Sequence, residues 1–308
     1  MSSLRKLSVV VPCYNEGACV DLFLNTVLGL GLANPLEFVF VDDGSTDETL
    51  ERLRALSAAD ARVKYVSFSR NFGKEAALLA GLEHATGELV VTMDADLQHR
   101  PDLLPEMVKA IEEEGYDCVA TRRTDRSGEP ALRSWFAHRF YSLMNRYSDV
   151  CLVDGSMDYR MMTRQVVASV LSLTEANRFT KGIYQWVGFR TKWIETGNVE
   201  RAAGATKWSF WKLFVYSVRG ILAFSTAPLQ VASVLGIVCC FISFIYMLVI
   251  WIKWLCLGDP VAGWPTIMCV VLLLGGLQLF VIGILGTYIA GIYRETKRRP
   301  PYLVKEKK

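Results

Sequence analysis

Several signatures are missing from this chain, and each absence narrows the reading. None of its eight cysteines forms a CxxC pair, so neither a zinc ribbon nor a dithiol redox motif is present. Their scatter also argues against a disulfide framework and for a reducing compartment. Cys239 and Cys240 sit side by side in an apolar run and read as small hydrophobes. Histidine is scarce: His84, His99 and His138 do not form a metal constellation. His99 reads as a loop residue near an acidic turn. The formal net charge of +3 is too mild to point to nucleic acid. The opening "MSSLRKLSVVVPCYNE" lacks an apolar stretch long enough for a signal-peptide core. The first domain is therefore expected to stay in the cytoplasm.

What is present divides in two near residue 205. Hydrophobic residues make up 52% of the chain, and the surplus lies beyond that point. Before it, apolar runs of strand length alternate with helical segments. Strands are expected at 7–11, 37–41, 63–68, 88–93 and 117–121, and helices at about 17–30, 46–57, 73–85 and 102–114. Thr46 or Ser45 is expected to cap the second helix and Asp102 the fourth. Continuous apolar strands in a β-α-β-α order predict an α/β, mostly parallel sheet covered on both faces, with right-handed crossovers.

Ligands of such sheets bind outside the carboxyl ends of the strands. Three polar loops fall there: "VPCYNE" (11–16), "VDDGSTD" (41–47) and "DADLQ" (94–98). Asp94 and Asp96 stand one residue apart, and two like charges that close call for something positive between them. Hard divalent cations take carboxylate oxygens together with substrate phosphates. Gln98 can add a neutral oxygen or meet a metal-bound water. The blander reading is a solvated acidic turn.

Beyond residue 205, Val231–Ile252 runs for 22 residues without a charge, and Val261–Tyr293 is also uncharged. At about 1.5 Å per helical residue, each is long enough for a hydrocarbon core of about 30 Å. Gly and Pro in "KWLCLGDPVAGWP" separate the two, with Trp254 and Trp264 at interface depth. The basic tail "RETKRRPPYLVKEKK" places both ends of this hairpin in the cytoplasm. "KWSFWKLFVYSVRGILAF" (207–224) and "RSWFAHRFYSLMNRY" (133–147) mix aromatic and basic residues as interfacial helices do, although amphipathic helices packed on the sheet would look similar. The glycines of "LGGLQLFVIGILG" (274–286) suit close packing within the hairpin or between subunits.

The stretches "VVVPCYNE", "FVFVDDGSTDET", "SRNFGKEAALLAGLEHATGE" and "TMDADLQHRPD" resemble family 2 glycosyltransferases. With "DYRMMTR" (158–164), "ERAAGATKWSFWKL" (200–213) and the C-terminal hairpin, the chain is similar to the polyprenyl-phosphate glycosyltransferase branch, which includes bactoprenol glucosyltransferases and dolichol-phosphate mannose synthase. The resemblance implies a GT-A type, Rossmann-like sheet followed by amphipathic interfacial helices and a two-helix transmembrane hairpin. The expected division is a cytoplasmic glycosyltransferase domain over 1–206, an interfacial helix over 207–226, transmembrane helices within 227–293 (about 229–253 and 265–290) and a basic tail over 294–308.

By the same resemblance, Pro12, Tyr14, Glu16, Asp43 and Asp94 hold the sugar nucleotide, and Asp94, Asp96 and Gln98 hold Mg²⁺ or Mn²⁺. Asp158 sits near the reacting centre, with Asp96 and Arg122 in the catalytic set. An ion pair between Asp158 and Arg160 or Arg164 that merely holds a loop is the alternative. Arg122, Arg133, Arg139, Arg201 and Lys207 are expected to meet the acceptor phosphate, since arginine grips phosphate through a planar fork. The implied reaction is inverting transfer of one sugar, UDP-glucose being the expected donor, to undecaprenyl or another polyprenyl phosphate at the inner membrane. GDP-mannose and modified pentoses remain open as donors. The implied partners are a nucleotide sugar, the lipid, the membrane and further copies of the chain, a tetramer included. A processive polysaccharide synthase would need more spans and a QxxRW motif, whereas residues 185–190 read "QWVGFR". A haloacid-type phosphohydrolase would carry Thr where Gln98 stands.

Overall fold

The computed structural model describes residues 4–123, 153–197, 227–257 and 263–308. The expected interfacial helices at 133–147 and 207–226 lie outside these residues, as do Arg133, Arg139, Arg201 and Lys207.

Eight strands form one sheet in the order β7-β5-β6-β4-β1-β2-β3-β8. Its centre is parallel: β1 (Leu7–Cys13) lies between β2 (Leu36–Asp42) and β4 (Leu89–Thr92), and β3 (Val63–Phe68) flanks β2. These strands are rich in β-branched and aromatic residues, and both of their faces are buried. Val9, Val11, Phe38, Phe40 and Val91 face one side, where α1 (Val20–Leu28), α2 (Thr49–Ala59) and α4 (Leu104–Glu112) pack. Val10, Val39 and Val90 face the other, under α3 (Lys74–His84), α5 (Arg164–Ser172) and α6 (Thr180–Trp186). Each such side chain contributes about 1.5–3 kcal/mol when fully withdrawn from water.

Two strands run against the rest. β6 (Ser156–Thr163) is antiparallel to β4 and to β5 (Cys118–Arg123), and β7 (Thr191–Thr196) extends the sheet beyond β5 in parallel. Because β6 is reversed, its first residues, not its last, reach the carboxyl edge of the parallel strands. The other reversed strand is β8 (Val304–Lys307) at the chain's end, which pairs antiparallel with β3. The Tyr302 ring stacks on Phe68 at 4.7 Å, and Arg54 holds Glu306 through two bonds of 2.7 and 2.8 Å. The end of the basic tail is thus an edge strand of the sheet.

Two helix starts differ from expectation. The second helix begins at Thr49, and Asp47 Oδ1 accepts the Thr49 N–H at 3.0 Å. Ser45 and Thr46 instead bond Asn15 in the neighbouring loop. Asp102 lies in a short 3-10 turn, Pro101–Leu103, and pairs with Arg100 at 2.5 Å.

Between the last two strands stand α7 (Ala227–Leu257) and α8 (Trp264–Thr296), of 31 and 33 residues. Their apolar windows, Leu229–Tyr246 and Leu273–Thr296, are 6% and 0% buried, so the rest of the described protein leaves them uncovered. Both are long and apolar enough to cross a bilayer.

Candidate active site

The β1, β2 and β4 loops and the start of β6 meet at one sheet edge, and local hydrogen bonds fix their shapes. In the β1 loop Asn15 takes a positive φ of 54°, tolerated by asparagine. Its N–H donates to Ser45 Oγ at 2.9 Å, and its Oδ1 accepts from the Thr46 N–H at 2.9 Å. The Glu16 N–H donates to Thr49 Oγ1 and the Gly17 N–H to Asp47 Oδ2. The β1 and β2 loops are therefore clasped together. Pro12 lies opposite Val41 one residue before the end of β1, and Tyr14 is 38% exposed. Gly44, at φ +66°, has no room for a side chain: an added Cβ would come within 2.4 Å of the Arg70 carbonyl carbon.

Asp43 is buried. Its Oδ1 accepts the Phe72 N–H at 2.6 Å and its Oδ2 the Gly73 N–H at 2.9 Å, tying the β2 loop to the entrance of α3. Burial pushes its pKa up despite those two donors.

Asp94, Asp96 and Gln98 follow β4. The Gln98 N–H donates to Asp96 Oδ1 at 3.1 Å across Leu97, which holds a positive φ of 56°. A β-carbon-bearing residue in that region is held there by its surroundings, a condition that clusters at functional sites. His99 is buried and stacked on Tyr159 at 5.2 Å. Its Nδ1 accepts the Asp94 N–H at 3.0 Å, which leaves the ring proton on Nε2. Burial lowers the His99 pKa, so the ring stays neutral. It steadies the start of the acidic turn.

The positive charge beside Asp94 is Lys74, the first residue of α3. Its Nζ lies 2.8 and 2.9 Å from the two Asp94 oxygens and 2.7 Å from Asp158 Oδ2. Asp158 comes from the reversed strand β6, where Thr92 Oγ1 donates to its carbonyl at 2.5 Å. Burial works to raise both carboxylates, but the Lys74 ammonium outweighs it and holds both below the usual range. Lys181 adds a second cation near Asp158, and its Nζ donates to the Ser156 carbonyl at 2.7 Å. Lys74 itself is disfavoured as a cation by burial, yet its two acidic partners raise its pKa.

Asp158 does not pair with the neighbouring arginines. Arg160 is buried, its guanidinium 4.3 Å from the Tyr184 ring centre and 5.4 Å from that of Trp193. Arg164 donates to the carbonyls of Gly87 and Ala85. Arg122, at the end of β5, is ion-paired with Glu195 of β7. Gly155 (φ +73°) lets the chain entering β6 lie against β5, since a Cβ there would stand 2.3 Å from the Arg123 carbonyl oxygen.

Among the described residues no group of three or more His, Cys, Asp or Glu side chains forms a metal cluster. A cation that takes one or two carboxylates and completes its shell with phosphate needs none. Asp94, Asp96 and Asp158 bring three negative charges against Lys74 and Lys181, with His99 neutral. One negative charge is left over, and the donors are hard oxygens. That set fits Mg²⁺ or Mn²⁺.

In the sequence Lys74 lies within "SRNFGKEAALLAGL" with nothing adjacent that marks a role. The available signal was its place just after a glycine on the same carboxyl edge as the acidic loops.

Residues 8–171 match Glycosyl transferase family 2. The chain is 45% identical over 302 residues to a putative glycosyltransferase, CsbB, of Bacillus subtilis (strain 168), which spans 97% of this chain and 91% of that protein. It is 42% identical over 305 residues to the bactoprenol glucosyl transferase of Shigella phage SfX, over 98% of this chain and 100% of that one. A solved glucosyl-3-phosphoglycerate synthase from Mycobacterium tuberculosis has a TM-score of 0.49 at 21% identity, over 71% of this chain and 78% of that chain.

Proposed function

The chain belongs to glycosyl transferase family 2, and from that footing we propose that it moves one sugar from a nucleoside diphosphate sugar, UDP-glucose first, onto a polyprenyl phosphate at the membrane face. The observation that carries this reading is the acidic edge of the sheet: Asp94 and Asp158 gathered on Lys74, in a chain that also bears two uncovered apolar helices. Identity of 42% over nearly the whole chain to a bactoprenol glucosyl transferase supports glucose and a polyprenyl carrier.

In the reaction, a phosphate oxygen of the lipid attacks the anomeric carbon, and the bond from that carbon to the donor's β-phosphate oxygen breaks. The sugar leaves with inverted configuration on the lipid phosphate, and a nucleoside diphosphate remains. A phosphate monoester has a second pKa of about 6, so the acceptor is already anionic at neutral pH and needs no strong base. Asp158 therefore orients the acceptor or the sugar. Pro12, Tyr14, Glu16 and Asp43 line the nucleotide end. Asp94 and Asp96, with Gln98 adding an amide oxygen, would hold a divalent cation, which would supply positive charge where the diphosphate leaves. Arg122, Arg133, Arg139, Arg201 and Lys207 gather the lipid phosphate.

β8 supports the proposed topology. The segment after α8 adds a strand to the same sheet that the N-terminal segment builds. That pairing supports a hairpin of two spans with both ends on one side. The basic tail supports a cytoplasmic side and an inner-membrane location. Association into tetramers through the hairpin belongs to the same reading.

Purified protein incubated with labelled UDP-glucose, GDP-mannose and UDP-pentose donors and undecaprenyl phosphate tests it. A single-sugar lipid from UDP-glucose, lost in excess EDTA, is the expected result. A GDP-mannose product or a polymer would replace this reading with another, and full turnover in EDTA would remove the metal.

A further inference from the structure

The ammonium of Lys74 lies against three carboxylate oxygens, both of Asp94 and Oδ2 of Asp158. It thus bridges β4 and β6 from the first turn of α3. The Gly73 backbone at φ +99° and the Asp43 carboxylate on the Phe72 and Gly73 N–H groups fix where that turn begins. Asp94 is also a carboxylate proposed above to hold a divalent cation. Two cations cannot share it at full strength, because like charges within a few ångströms repel strongly in a partly buried site.

We infer that Lys74 is a cationic placeholder. In the donor-free protein its ammonium neutralises Asp94 and Asp158 and weakens their hold on a divalent ion. When a sugar nucleotide arrives, Lys74 exchanges Asp94 for the diphosphate, and Asp94 turns to the ion. The donor and its cation are thereby taken up together. Lys74 is a positioning and donor-binding residue in this scheme, which rests on the nucleotide-sugar reading.

Two titrations on the full-length protein separate the placeholder from an ordinary structural lysine. Mn²⁺ binding, read by electron paramagnetic resonance without nucleotide, is expected to tighten about tenfold or more in Lys74→Met. UDP affinity at saturating Mn²⁺ is expected to weaken about tenfold or more in the same variant. Lys74→Arg, which keeps the charge, is expected to bind Mn²⁺ within about threefold of the parent. A structural role predicts weaker binding of both ligands. Unchanged or weaker Mn²⁺ binding in Lys74→Met would overturn the proposal. So would a Lys74→Arg variant that, judged folded by circular dichroism, binds Mn²⁺ as tightly as Lys74→Met. The Mn²⁺ arm needs neither sugar nor lipid. Tighter Mn²⁺ with no UDP binding even by the parent would therefore keep the charge competition, and it would end the nucleotide reading and the exchange step.

Discussion

Replacing Asp158 by asparagine keeps the side chain's shape and removes its charge. In the folded protein this carboxylate lies 2.7 Å from Lys74 Nζ, with the two side chains 22% and 38% exposed. Opposite charges at that distance attract by about 6 kcal/mol at an effective dielectric constant of about 20. Partial exposure of both groups and the desolvation of Asp158 cut the net value to about 1–2 kcal/mol. Lys74 keeps both Asp94 oxygens, so no cation is left stranded. A loss of that size lowers the melting temperature by about 2–8 °C for a domain of this size class. Sugar transfer falls much further, by about 100-fold, because misplacing one reactant by an ångström costs that much. Thermal melts and lipid-linked sugar formation, measured on the same preparation, separate the two effects. Activity within threefold of the parent would refute the assignment. A melting temperature lowered by about 15 °C or more would make Asp158 a brace for the sheet edge instead.

Asp96→Ala abolishes turnover and leaves membrane insertion unchanged, as activity assays and membrane fractionation will show. Glu37 is buried among Lys6, Lys64, Ser8 and Thr86. Burial alone would raise its pKa, but those partners hold it well below the usual carboxylate range. Its contribution is present above the unfolded value of about 4.3 and is lost as pH falls below that. Glu37→Gln costs about 2 kcal/mol at pH 7, and the gap in urea midpoint between variant and parent narrows towards pH 3. Tyr302→Ala removes the stack on Phe68 and frees β8, costing about 1–3 kcal/mol; limited proteolysis then clips the C-terminus faster.

The parallel core was legible because each of its strands is a continuous apolar run followed by a helix, a local pattern. The acidic loops could be placed on one edge for the same reason. β8 was not legible: "VKEK" carries three charges in four residues, and only pairing with β3 makes it a strand. Such charged edges are how sheets avoid further pairing. Asp158 entered through resemblance alone, because its position depends on β6 running backwards after residues 124–152. Lys74 is a single charge at a helix start in the sequence, and its role emerges only when β4 and β6 bring two carboxylates to it. Ser45 and Thr46 matched a capping pattern, but the loop they clasp lies 30 residues away.

Mass spectrometry of the lipid product tests the central claim most directly. Purified protein given UDP-glucose and undecaprenyl phosphate should yield a lipid heavier by one hexose, and an Asp96→Ala preparation should yield none. A ladder of added hexoses, or a single-hexose product formed equally by the Asp96→Ala protein, would contradict the account.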